Sequence, residues 1–165
     1  GVAGRVRLAA SRVGPDVRAF AAVCAHVEAL GAAAADAARR LSEALLDLYA
    51  GPFCGDDEES WLLAPREAWR RRFLAAIGRL GGLLEQAGEW AAADRLYTRA
   101  LEAEPLAEAG YRGLMRCAHA RHDPAAALAA YRRCREILSI VLSRAPSSET
   151  QALAARLRLQ ELRAA

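Results

Sequence analysis

The feature that most constrains this chain is an internal repeat with a period of 34 residues. Ala93 recurs as Ala127, Tyr97 as Tyr131, Ala100 as Cys134, Leu80 as Leu114 and Ile77 as Tyr111, each pair 34 positions apart. Helical spacing inside each copy makes the unit a pair of antiparallel helices. One such pair cannot bury its apolar face alone, so neighbouring units must stack and share a core. The small residues at 93, 100, 127 and 134 mark where two helices approach closely. The tyrosines at 97 and 131 supply the bulk that fills the gap between units. Gly88 falls at the turn inside the first unit, and Pro105 follows its second helix, which it cannot continue. The second copy diverges: Met115 stands for Gly81, His122 for Gly88 and Ser139 for Pro105.

The remaining sequence is consistent with one all-α domain. A chain of 165 residues can bury roughly 70% of its unfolded surface. No run of about 18 uncharged apolar residues is present to span a membrane, and no signal-peptide pattern opens the chain. Every basic residue is Arg, and the net charge of +3 is too small to argue for nucleic acid by itself. Four cysteines without a pairing pattern point to unpaired thiols and a reducing, cytoplasmic setting. The first residue is Gly, which suggests a chain cut from something longer.

Taken in order, Arg5 to Leu8 alternate as a short strand would. Pro15-Asp16 signals a helix start, followed by Val17, Phe20, Cys24, Val27 and Leu30 at helical spacing. A second helix carries Leu41, Ala44, Leu45, Leu48 and Tyr49. The acids Asp56 to Glu59 before Trp61 read as the solvated start of a helical turn. Pro65 opens a long helix with Trp69, Phe73, Ile77, Leu80 and Leu84 on its buried stripe, and Arg70, Arg71 and Arg72 mostly outward. After the repeat pair, a long helix from Asp123 ends before Pro146, and Leu153 and Leu157 face inward from a last helix closing the array. The period and this order predict a tetratricopeptide-like, right-handed array of about seven antiparallel helices, with a possible short N-terminal strand.

In tetratricopeptide arrays the first helix of each unit lines a groove. That register places Gly78, Gly82, Glu85 and Gln86 in the groove from the first unit, and Arg112, Arg116 and His119 from the second. Arg112 and Arg116 lie one turn apart on one face, a spacing suited to an acidic partner segment. The competing reading is ordinary helix polarity or pairing with a neighbouring helix. No catalytic constellation stands out. Cys117-x-His119-x-x-His122 has metal-ligand residue types, but Cys117 points about 200° away from His119 around a helix. Cys24-x-His26 fails in the same way. The aromatic residues sit largely on apolar stripes, which favours packing over base stacking; Trp90, in a turn, is the exception.

Several segments together resemble a known family. They are Leu48-Tyr-Ala-Gly-Pro-Phe53, the acidic run with Trp61, the helix from Pro65 to Phe73, and Leu84 to Tyr97. Ala100 to Leu106, and Ala130 to Glu136 through Pro146 to Thr150, complete the likeness. They are similar to the bacterial transcriptional activator domain, the helical domain of SARP-type regulators. Cys54, Cys134 and Gly14-Pro15 depart from the pattern. The resemblance implies residues 1–15 as a linker or strand remnant from a preceding winged-helix domain, and residues 16–165 as the activator domain. It implies a regulatory, non-enzymatic role with no cofactor and no metal. Partners would be proteins: a second copy, the neighbouring DNA-binding domain or the transcription machinery, with DNA read only by a domain outside this chain. The alternative is a free-standing tetratricopeptide adaptor that binds peptides.

Overall fold

The computed structural model describes residues 10–32, 34–49 and 63–157. Seven helices run through them, with no strand among the described residues: α1 Ala10–Ala29, α2 Ala35–Leu48, α3 Leu63–Gln86, α4 Trp90–Ala103, α5 Glu108–Ala120, α6 Pro124–Leu142 and α7 Ser148–Arg156. Each helix packs on the next from α1 to α6, and α1 on α3, α3 on α5 and α5 on α7 as well. This is the helical array that the 34-residue period predicts. The pairs α3/α4 and α5/α6 are the two matching units, α1/α2 is a third, divergent pair, and α7 covers the end of α5.

Some expectations fall outside the described residues: the strand at Arg5 to Leu8, Cys54, the acids Asp56 to Glu59, Trp61 and the end of the last helix. Among the described residues, α1 opens at Ala10 rather than at Asp16, and α3 at Leu63 rather than at Pro65. Pro tolerates the first turn of a helix, where its missing N–H has no partner to lose. That accounts for Pro65 sitting just inside α3.

The period holds down to the turns. Gly88 adopts φ of 74° and His122 φ of 58°, both left-handed. In each, the helix ends with the same paired bonds. Glu89 N donates to Leu84 O and Gly88 N to Glu85 O in the first unit; Asp123 N donates to Ala118 O and His122 N to His119 O in the second. This closure satisfies carbonyls left open at a helix end and needs one left-handed residue. Glycine is the easy choice there, and His122 holds the same geometry with a side chain attached. Asp123 then starts α6, its Oδ1 accepting from Ala126 N at 2.9 Å, with Pro124 in the first turn.

The core is continuous in α1–α4 and subdivided beyond. Phe20, Cys24, Val27, Leu45, Phe73, Ile77, Leu80, Leu84, Leu96 and Tyr97 belong to one buried cluster. Tyr49 stacks on Phe73 with ring centroids 3.9 Å apart. Tyr131, Met115, Ala127, Leu153 and Ala154 form a second cluster, and Leu101, Tyr111, Cys134 and Leu138 a third. Both repeat tyrosines are buried, Tyr97 at 2% exposure and Tyr131 at 7%. Their surroundings differ because of one substitution between units. A Cβ added at Gly81 would lie 2.1 Å from the Tyr97 hydroxyl, and one at Gly113 within 2.4 Å of its ring. Tyr97 of α4 therefore lies between two helices that come close only because both lack a side chain at that point. In the second unit Met115 fills the Gly81 position, and Tyr131 packs in a cluster with it and with α7.

The end of the array is held by polar bonds. Glu108, in the first turn of α5, accepts from Ser147 N at 2.8 Å, Ser147 Oγ at 2.7 Å and Thr150 Oγ1 at 2.7 Å. Ser147 caps α7 in turn, and Thr150 is fully buried. Burial alone would raise the Glu108 pKa, but the bonds from Thr150 and Ser147, with Arg144 nearby, outweigh it and hold the carboxyl below its ordinary value. A carboxyl whose folded pKa is depressed stabilises the fold fully above the unfolded value, about 4.3 for Glu, and that contribution is lost as pH falls through the folded one. We expect acid to loosen α7 from α5, in wild type but not in Glu108→Gln, which lacks the titrating group. The measurement is the pH dependence of unfolding free energy between pH 6 and pH 3 in both proteins; parallel curves would refute it.

Candidate protein-interaction face

The residues predicted to line a groove lie on α3 and α5, the first helices of the two units, which pack side by side. Their positions pair through the period: Gly78 with Arg112, Gly82 with Arg116, Glu85 with His119. Gly78 is exposed and Gly82 half-buried, and a Cβ at either would meet nothing within 4 Å. Gln86 and His119 are exposed. The three charged residues are held by neighbours. Arg116 donates from Nε to Glu85 Oε2 and from Nη2 to Glu85 Oε1, both at 2.7 Å. Arg112 donates to Thr150 Oγ1 at 3.0 Å and lies 3.0 Å from the Glu149 carboxylate.

Pairing with a neighbouring helix, the competing reading of these arginines, therefore describes both of them in this structure. An acidic partner reaching Arg116 must displace a two-point bond, and one reaching Arg112 must compete with α7. The face that remains open holds Gly78, Gln86 and His119, with Gly82 half-buried between them.

Glu85 joins two units. Besides Arg116 of α5, it accepts from the Tyr97 hydroxyl of α4 at 2.7 Å. Burial first, then this bond to a carboxylate, pushes the Tyr97 pKa upward, so the phenol stays protonated and donating. The Glu85 bond pushes the Arg116 pKa up in the same way. A second node has the same composition. Glu104 is 7% exposed and accepts from the Tyr49 hydroxyl at 2.6 Å and from Arg70 Nε at 2.7 Å. Arg70 thus turns inward, against the outward reading of Arg70 to Arg72; Arg71 is exposed, and Arg72 lies over Trp69, 5.6 Å from the ring centroid.

Neither node was read from the sequence. Arg70 and Glu104 are 34 residues apart but belong to the same α3/α4 unit, and Arg116 and Glu85 are 31 apart, so the period marks neither contact.

The metal-like motif does not converge. Cys117 is fully buried and His119 and His122 are exposed, and among the described residues no three His, Cys, Asp or Glu gather as a metal site. Burial pushes the Cys117 and Cys134 thiols up to about 12, away from the reactive thiolate. The aromatic residues are used in packing. Trp69 meets Phe20 edge-on at 5.2 Å, Tyr111 is buried and donates to Pro105 O at 3.0 Å, and Trp90 begins α4 half-buried against the main core.

No helix among the described residues is long and apolar enough to cross a membrane. Comparison with curated proteins and with solved structures returns no significant match. Comparison with protein families matches residues 15–158 to the bacterial transcriptional activator domain, a regulatory family. That span takes in α2 to α7 and all of α1 but its first turn, so the array described above is the family's domain: this chain belongs to the bacterial transcriptional activator domain family.

Proposed function

We propose that the chain is the regulatory, protein-interaction part of a cytoplasmic bacterial transcription activator, and that a winged helix outside residues 1–165 reads the DNA. Family membership carries this reading. Its partners are proteins: a second copy, the DNA-binding domain beside it, or the transcription machinery. It performs no chemistry of its own. The buried acids and the arginines that reach them are spent on holding helices together, as Glu85 with Arg116 and Glu104 with Arg70.

The test is a competition titration of a promoter fragment against random duplex, using residues 1–165 at near-physiological salt. Equal and weak binding to both is expected, because exposed arginines meet phosphates without reading sequence and lose that affinity as salt rises. A preference of roughly a thousandfold, the lower end for specific recognition, would show that the helical array reads DNA itself.

The two open glycines support a partner on the α3–α5 face. Each costs its helix about 1 kcal/mol relative to Ala, and neither makes room for a neighbour inside the protein. Gly78→Ala with Gly82→Ala should therefore raise unfolding stability by about 1–2 kcal/mol in total. The same change roughens the surface where a partner's backbone would come closest. In the complete regulator we expect lower reporter transcription despite the higher stability. Unchanged transcription with raised stability would remove this face from the partner surface.

A further inference from the structure

α6 runs past the helix it packs on, and its free end differs from every other described surface. It spans Pro124–Leu142, 19 residues, against 13 for its partner α5. Its core-facing stripe of Ala127, Tyr131, Cys134 and Leu138 continues at helical spacing to Val141 and Leu142. There the cover stops. Ile140 is 71% exposed, Val141 53% and Leu142 42%, and these are the large exposed hydrophobic side chains of the described residues.

Beside them lies a hollow of about 550 Å³ lined by Arg132, Arg135, Glu136, Ser139, Arg144 and the turn to Pro146. Arg144 is shared with Glu108 at 3.7 Å. Arg132 and Arg135 are exposed and make no ion pair among the described residues, as is also true of exposed Arg71, Arg95 and Arg133. Arg135 keeps only the Tyr131 ring, 5.9 Å away. The surface is thus an arginine-rimmed hollow with Leu142 at its edge, on the same side of α6 as Arg135 and next to Val141, while Ile140 lies about 200° around the helix from Leu142.

A ligand that fits both parts carries clustered carboxylates followed directly by large apolar side chains. The chain's own sequence contains one such run, Asp56-Asp57-Glu58-Glu59-Ser60-Trp61-Leu62-Leu63, and its only four consecutive acids are in it. We propose that the α6 end binds this segment of a second copy, carboxylates against Arg132 and Arg135 and the Trp-Leu-Leu part against Val141 and Leu142. The donor and acceptor surfaces are different patches, so the contact is head-to-tail. It rests on the protein-interaction reading and gives that reading one surface, separate from the α3–α5 face.

The test uses the full 165-residue chain and a fluorescent synthetic peptide of residues 55–63, read by anisotropy, with sedimentation velocity of the chain alone. Binding is expected to weaken by roughly tenfold or more with Arg132→Glu plus Arg135→Glu, and on raising salt from about 0.05 to about 0.5 M. Val141→Ser with Leu142→Ser should weaken it too. Neutralising the four acids in the peptide tests the same contact without touching the receptor's fold. A peptide that does not bind overturns the proposal, as does binding indifferent to the α6 substitutions. Binding that emerges only when the receptor's own four acids are neutralised means that the segment occupies its own copy, which overturns the second-copy contact. None of these failures touches the DNA titration or the glycine variants, so the broader reading stands or falls separately.

Discussion

Truncating Tyr97 to Ala should cost about 3–5 kcal/mol, the range for deleting a large buried aromatic. Three losses coincide there. The ring fills the space between Gly81 and Gly113, two points where no side chain stands in the way. Its removal leaves a hole that the backbones of α3 and α5 cannot close without moving. It also takes away one of the donors to Glu85. Tyr97→Phe separates the parts, keeping the ring and losing only the bond, for about 0.5–1.5 kcal/mol. The converse substitution is informative. Gly81→Ala forces a Cβ to within 2.1 Å of the hydroxyl, and such overpacking costs about 1–3 kcal/mol. In a Tyr97→Ala background that penalty should largely vanish, since the obstructed atom is gone. Urea unfolding of the two single variants and the double variant measures the coupling. Additive losses would mean that Tyr97 and Gly81 do not meet.

The second large loss is expected at Glu104. Replacing it with Leu strands the Tyr49 hydroxyl and leaves Arg70 only its weaker contact with Glu67 at 3.4 Å. A buried hydroxyl without a partner costs about 1–3 kcal/mol. The Arg70 side chain is 35% exposed, so water screens part of its share and a fully buried pair's penalty does not apply. A total of about 2–4 kcal/mol follows. Reversal distinguishes this from simple loss of packing. Adding Tyr49→Phe and Arg70→Met to Glu104→Leu removes every stranded group and should recover most of the stability, because apolar replacement of a whole buried ionic group is often neutral. If the triple variant is no better than Glu104→Leu alone, the cost lies in shape rather than in unsatisfied polar groups.

Helices, turns and unit boundaries were legible in the sequence because they depend on short-range patterns. Phe73, Ile77, Leu80 and Leu84 are buried on one stripe of α3, and the left-handed turn at Gly88 recurs at His122. The fate of the polar residues was not legible. Arg112 and Arg116 look alike in the sequence, one turn apart on one helix, and each reaches a different neighbour: α7 for one, α3 for the other. A long flexible side chain with a fixed charge takes whichever carboxylate tertiary packing brings near. Spacing along one helix carries no record of that. Gly81 and Gly82 are the same case in small: adjacent glycines, one pressed against Tyr97 and one facing open space.

The way Glu85 bridges α3, α4 and α5, while α7 rests on the Glu108 bonds, Arg112 and the short apolar stripe of Leu153 and Ala154, makes the array mechanically uneven. Helical arrays of this kind can unravel one unit at a time from a free end. Here the seam between the first and second matching units is tied by a ring wedged between two backbones and by a shared carboxylate. The seam to α7 holds by a cap that acid loosens. Backbone amides of α7 should therefore trade their protons for solvent deuterons well before those of α3 and α4, which open only with the whole domain. A signal that works by loosening α7 reaches α5 at Arg112, which touches Thr150 and Glu149, beside Gly113, where the Tyr97 ring packs.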